Sequence, residues 1–149
     1  MQAAGRDRSA SLVLLAIVRA EARLTREVEE ALGRVGLSGP QFNVLMEVAA
    51  APDGRLALHE ICDRLLKSPP NVTALVDRLE RDGLLRRERS RQDRRVVMAA
   101  LTERGWEALA AAAPEVFAAE RRTLRDLSPS DRRELLQRLQ RVAPSTRRG

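Results

Sequence analysis

Residues 64–95, RLLKSPPNVTALVDRLERDGLLRRERSRQDRR, hold ten basic side chains: Arg64, Lys67, Arg78, Arg81, Arg86, Arg87, Arg89, Arg91, Arg94 and Arg95. Five acids stand against them: Asp77, Glu80, Asp82, Glu88 and Asp93. The excess of five is nearly the whole of the chain's net charge of +6. Cations grouped in this way suit a polyanion, because each phosphate they neutralise releases condensed counterions. Other chemistry is poorly supplied. There is one histidine, His59, and one cysteine, Cys62, too few for a Cys/His structural zinc site. No nucleophile stands beside a base and no carboxylates are paired for acid–base work, so neither an enzyme nor a metal or cofactor is expected. Phosphate-cradling glycine loops and GxSxG are absent. Aromatic residues make up 2% of the chain, with no tyrosine, which argues against a stacking platform for single strands. Only Lys67 among the 27 basic residues is not arginine, so the placement of the charge says more than its amount.

These side chains need a scaffold, and the same stretch encodes one. Ser68 suits a helix N-cap and Pro69 the first helical position, where its missing N–H is no loss. Val72, Leu75, Val76 and Leu79 recur at i, i+3, i+4 and i+7, so one face is apolar. Asn71, Thr73, Ala74, Asp77, Arg78 and Arg81 fall on the other. Gly83 ends the helix. Two short runs, 84–89 and 95–101, flank a polar tip, Ser90-Arg91-Gln92-Asp93-Arg94, and the second begins β-branched, as a strand does. A helix followed by an arginine-tipped hairpin is the pattern of a winged helix-turn-helix, with the helix for a major groove and the wing for a minor groove or backbone.

The remaining chain frames this unit. A single domain is expected from 149 residues. Residues 1–8 read as a frayed tail. A long helix over 9–33 is apolar nearly all round at its start (Leu12, Leu14, Leu15, Ile17, Val18), which calls for cover by a second subunit. That run is too short to span a bilayer, and Asp7 together with the continuing helical pattern weighs against a signal peptide. Ser38 and Gln41 form a capping box before Phe42, Leu45, Met46 and Ala49. Residues 56–58 suit a very short strand. A helix over 59–66 turns Ile61, Cys62, Leu65 and Leu66 inward and leads through Lys67-Ser68 into the central helix. Thr102 caps an Ala-rich helix that Pro114 is expected to kink. Ser128-Pro129-Ser130-Asp131 opens a last amphipathic helix with Leu135, Leu136, Leu139 and Val142, and a basic tail follows Pro144. The lone cysteine fits a reducing, cytoplasmic setting.

The ordered segments LSGPQFNVL, VTALVDRLERDGLLRR, the wing DRR and LTERG resemble the core of MarR-type winged-helix transcription regulators, over about residues 10–142. The resemblance implies a mainly α fold of about six helices with a small β-hairpin wing. It implies dimerisation helices at about 9–33 and 115–143 around a winged helix-turn-helix at about 38–101. The implied partners are a second copy of the chain, a roughly palindromic double-stranded DNA site, and a small phenolic or other anionic effector that releases the DNA. Residue by residue, Ser68, Pro70, Asn71, Thr73 and Arg78 match positions of the recognition helix that face DNA. Asn71 and Thr73 are placed for base edges and Arg78 for a phosphate. Asp93 and Arg95 match a wing pair in which the acid orients an arginine for the minor groove. Arg89, Arg91 and Arg94 add phosphate contacts. The chain departs from the family at Ala74, often arginine there, at the doubled Pro69-Pro70, and at Ala57, where a Ser or Thr cap is common.

Plainer readings stand beside these. The same fold serves as a protein-interaction module without DNA readout, and Asp93 with Arg95 can be a surface ion pair of little energetic weight. Cys62 reads as a buried, inert thiol rather than a redox sensor. His59 reads as a capping or surface residue, and Trp106 as core or pocket wall.

Overall fold

The computed structural model describes residues 8–142, so the tails at 1–7 and from 143 onward, with Arg147 and Arg148, lie outside the described residues. The chain order is α1 (Arg8–Gly33), α2 (Gly39–Ala49), a 3-10 turn (Pro52–Gly54), β1 (Arg55–Ala57), α3 (Leu58–Leu65), α4 (Pro69–Arg81), β2 (Leu85–Arg89), β3 (Val97–Leu101), α5 (Glu103–Thr123) and α6 (Pro129–Val142). This is the expected mainly α architecture with a wing. The wing gains a third strand: β3 lies between β1 and β2, antiparallel to both, with Leu56 opposite Ala99 and Arg87 opposite the same residue.

Local chemistry sets the helix ends. The Ser38 N–H donates to Gln41 Oε1 at 3.0 Å while the Gln41 N–H donates back to Ser38 Oγ at 3.4 Å, closing the expected capping box. Ala57 supplies no cap oxygen to α3, but half a box survives: its N–H donates to Glu60 Oε2 at 3.1 Å. Thr102 Oγ1 accepts from the Gly105 N–H at 3.0 Å and donates to Gly83 O at 2.7 Å, so one hydroxyl caps α5 and ties it to the end of α4. Ser128 and Asp131 cap α6 reciprocally: the Ser128 N–H donates to Asp131 Oδ2 at 2.9 Å and the Asp131 N–H to Ser128 Oγ at 3.2 Å. Hydrogen bonds from the Ser128 hydroxyl and backbone hold the Asp131 carboxyl below its ordinary pKa. Helix α5 continues through Pro114 as one element.

The core gathers Leu32 of α1, Val44, Leu45 and Val48 of α2, Ile61 of α3, Val72, Val76 and Leu79 of α4, Leu85 of β2, Ala99 of β3, and Ala112 and Val116 of α5. Helices α1 and α5 run side by side, linked by Arg122–Glu27 at 3.3 Å and, just past the end of α1, by Arg34–Glu115 at 3.0 Å. The first half of α1 is left bare, with Leu12 64% and Val18 61% exposed. Phe117 and Leu124 on α5 and Leu135, Leu136 and Val142 on α6 are exposed as well, and α6 buries no residue. Among the described residues no helix is long and apolar enough to cross a membrane.

Three inward assignments change. Leu66 is not inward: it ends α3 in the left-handed region (φ 51°, ψ 41°) and is 76% exposed. The cause is local, since the reversal into α4 closes with the Lys67 N–H on Cys62 O at 3.0 Å, which swings residue 66 off the apolar face. Cys62 is half-buried rather than buried, and lines a groove between α3 and α4. Trp106 is 46% exposed and covers the 3-10 turn, where a Cβ on Gly54 would lie 2.8 Å from its ring.

Candidate nucleic-acid interface

Helix α4 buries the predicted stripe, with Val72, Val76 and Leu79 at 0–1% exposure. Packing that stripe turns Asn71, Thr73, Ala74 and Arg78 outward, all exposed. The helix stops in a two-bond closure: the Gly83 N–H donates to Glu80 O at 3.0 Å and the Leu84 N–H to Leu79 O at 2.8 Å, with Gly83 at φ +72°. A side-chain-bearing residue resists that conformation. The closure sends the chain straight into β2, so the wing springs from the end of the helix.

Ser68 takes the N-cap backbone position (φ −67°, ψ 150°), but its hydroxyl caps nothing. Pro69 and Pro70 carry no N–H, and the next donor, the Asn71 N–H, is not bonded to that oxygen. The hydroxyl therefore stays on the outer surface, beside Pro70 and Asn71.

At the wing tip, Ser90 Oγ accepts from the N–H groups of Gln92 and Asp93 at 3.3 and 3.4 Å, and the Ser90 N–H donates to Val96 O at 3.0 Å. Asp93 Oδ1 accepts from the Arg95 N–H at 2.9 Å and from Arg95 Nε at 3.3 Å. The carboxylate thus grips backbone and side chain of one arginine whose side chain is 92% exposed. This is an orienting contact; as a surface ion pair it adds little stability. Arg89 donates to the Arg94 carbonyl at 3.4 Å, and Arg91 and Arg94 are exposed.

The acids of this region are spent elsewhere. Arg87 donates to Asp77 at 2.6 Å and to Glu80 at 2.5 Å, and its backbone N–H reaches Glu80 at 3.0 Å. Partial burial disfavours its charge, but the hydrogen bonds and charges of Glu80 and Asp77 outweigh that and raise its pKa. Glu88 bonds Arg86 at 2.5 Å and lies 3.6 Å from Arg55. The Arg86 hydrogen bond, then the charges of Arg55, Arg86 and Arg91, hold its carboxyl below the ordinary range against some desolvation. Asp82 accepts from Gln41 at 3.5 Å. Among the described residues Lys67, Arg78, Arg81, Arg91 and Arg94 make no ion pair within 4 Å. The local positive excess therefore stands on one helix face and one wing. The Arg87 clamp was missed from sequence; its signal is Asp77 and Glu80, two acids three apart on a helix that is otherwise basic.

Ser68, Pro70, Asn71, Thr73 and Arg78 thus share the outer face of α4, while Arg89, Arg91, Asp93, Arg94 and Arg95 share the wing. Residues 35–96 match the family model described as the MarR family. The regulator PrsX of Escherichia coli is 32% identical over 94 residues, a match covering 63% of this chain and 57% of that protein, little more than half its length. AbsC, a MarR family transcriptional regulator from Streptomyces coelicolor, is 27% identical, with a TM-score of 0.83 over 96% of this chain and 95% of that one. Sco3205, another such regulator from the same organism and solved in complex with DNA, is 26% identical, with a TM-score of 0.87 over 99% of this chain and 94% of that one. In helix order, three-stranded wing and basic helix face the chain resembles the MarR family of winged helix-turn-helix proteins, whose model its residues 35–96 match.

Proposed function

We propose that the protein is a homodimeric transcription regulator that binds a palindromic double-stranded DNA site and acts as a repressor released by a small phenolic or anionic effector. One observation carries this reading: Asp77, Glu80 and Glu88 are paired within the lobe while, among the described residues, Lys67 just before α4, Arg78 and Arg81 on it, and Arg91 and Arg94 on the wing make no ion pair within 4 Å. Fixed positive charge on two neighbouring convex elements matches a duplex, whose phosphates flank both grooves. Asn71 and Thr73 then meet base edges in the major groove and Arg78 a phosphate, with Ser68 and Pro70 at the helix entry. Arg95, held by Asp93, enters the minor groove, and Arg89, Arg91 and Arg94 line its rim. The DNA complex of Sco3205 supports the same use of this fold.

The bare apolar faces of α1, α5 and α6 support a second copy as their cover. Two-fold symmetry then demands two half-sites about one helical turn apart, or a multiple of it. An effector would act where α1 meets the DNA-binding lobe, the corner at which Glu29 accepts from the Gly39 N–H at 3.0 Å.

The test is fluorescence anisotropy over a salt series, with wild type and Arg95→Ala on duplexes taken from a random-sequence selection and on scrambled controls. Log affinity should fall against log salt with a slope of about −0.9 per phosphate engaged. Two chains should bind each duplex, and Arg95→Ala should weaken binding and flatten the slope. Failure of the selection to enrich any sequence would leave a protein-interaction module on the same fold.

A further inference from the structure

We infer that the leading edge of α4 reads thymine 5-methyl groups by apolar contact. This rests on the DNA-binding reading above and specifies its readout. A helix start normally offers free N–H groups to phosphates or base acceptors. Here Pro69 and Pro70 occupy the first two helical positions and remove two of those donors, leaving that of Asn71. Apolar groups dominate the surface at that end: Leu66, Pro69, Pro70 and Ala74 are exposed, with the methyl-bearing Thr73, beside the polar Ser68 and Asn71.

Leu66 adds a second, independent observation. It holds a left-handed backbone that glycine adopts freely and leucine only with strain. Its side chain is 76% exposed, so no burial offsets that strain within the fold. A strained, outward leucine is explained if its contact is made with a ligand. Lys67 and Arg78 stand beside this edge, which sets it where phosphates would be gripped.

Major-groove edges present donors and acceptors, and a single apolar group, the 5-methyl of thymine. An edge with apolar side chains and few backbone donors complements that methyl. It penalises guanine and cytosine, whose acceptors and amino group would be desolvated without partners. Half-sites should therefore carry thymine where α4 enters the groove.

The experiment starts from a duplex chosen by random-sequence selection with the full chain. Each half-site thymine is replaced in turn by deoxyuridine, which lacks only the 5-methyl, and affinities are read for wild type, Leu66→Gly and Pro70→Ala. Leu66→Gly relieves the backbone, so its Tm should hold or rise. Wild type should lose about fourfold per methyl contacted, the effect of one buried methyl group. The variants should bind the thymine duplex less tightly and show a smaller deoxyuridine penalty. If selective binding persists but no half-site thymine matters, methyl reading is overturned while DNA binding stands. An equal penalty in all three proteins would place methyl reading elsewhere and overturn its assignment to this edge. Absence of selective binding to any duplex would overturn the underlying reading and this inference with it.

Discussion

Replacing Gly105 by alanine should destabilise the protein even though it improves the helix. Gly105 lies in the first turn of α5, and alanine outranks glycine there by about 1 kcal/mol of intrinsic propensity. A Cβ at this position would lie 2.1 Å from Leu84 O, 3.1 Å from Leu84 C and 2.8 Å from Leu101 Cδ2. The nearest obstacle is backbone, and that carbonyl already accepts from the Thr102 N–H at 3.2 Å and from Thr102 Oγ1 at 3.1 Å. Relief requires α5 to move by about 1 Å from the base of the wing, which strains the cap and the core beneath it. Overpacking of this kind costs about 1–3 kcal/mol, and an immovable carbonyl puts this site at the upper end. With the propensity gain subtracted, the net loss should be about 2 kcal/mol, or about 4–8 °C in Tm. Far-UV circular dichroism under heat and urea, at one fixed protein concentration because an oligomer's stability depends on it, reads this directly. Gly33→Ala is the internal control. Its Cβ meets nothing within 4 Å, so the same substitution should be neutral or stabilising by up to about 1 kcal/mol. Equal effects at the two sites, or a Gly105→Ala protein as stable as wild type, would refute the close approach of α5 to the wing.

Arg87→Met should lower DNA affinity without changing the salt slope. Its guanidinium is engaged by Asp77 and Glu80, so its loss frees two carboxylates near the interface but removes no phosphate contact. A slope flattened as much as by Arg95→Ala would mean that Arg87 meets DNA itself. The α6 cap should be acid-sensitive: the folded Asp131 pKa is depressed, so its contribution is present above the unfolded-state pKa and is lost as pH falls through the folded one. Ser128→Ala removes the hydroxyl bond and should move the Asp131 carboxyl back up toward its ordinary value, a change that NMR titration follows; an unmoved titration would remove the cap assignment.

Much of the site was legible because its signals are local. The recognition helix could be placed from Pro69 to Arg81 since a cap residue, two prolines, an i, i+3, i+4, i+7 stripe and a terminal glycine all lie within one segment. The capping box at Ser38 was legible for the same reason: cap and partner are three residues apart. Leu66 misled because its periodicity continues that of Ile61 and Leu65, while its direction depends on how α3 turns into α4. The hydroxyl of Ser68 misled because cap preference places the backbone of the cap residue but not the direction its side chain takes.

Charge segregation, helix order and the apolar stripes belong to the sequence alone, because each follows from neighbours within one or two helical turns. Which cations stay free was decided only in three dimensions. Arg87 meets Asp77 and Glu80, and Arg55 meets Glu88 across the sheet, solely because β2 folds back along α4 and β3 carries β1 on its other edge. The fit of Gly105 against Leu84 and the bare leucines of α1 are of the same kind. These contacts join residues distant along the chain, and residue spacing carries no information about which surfaces the core's packing brings together or leaves uncovered.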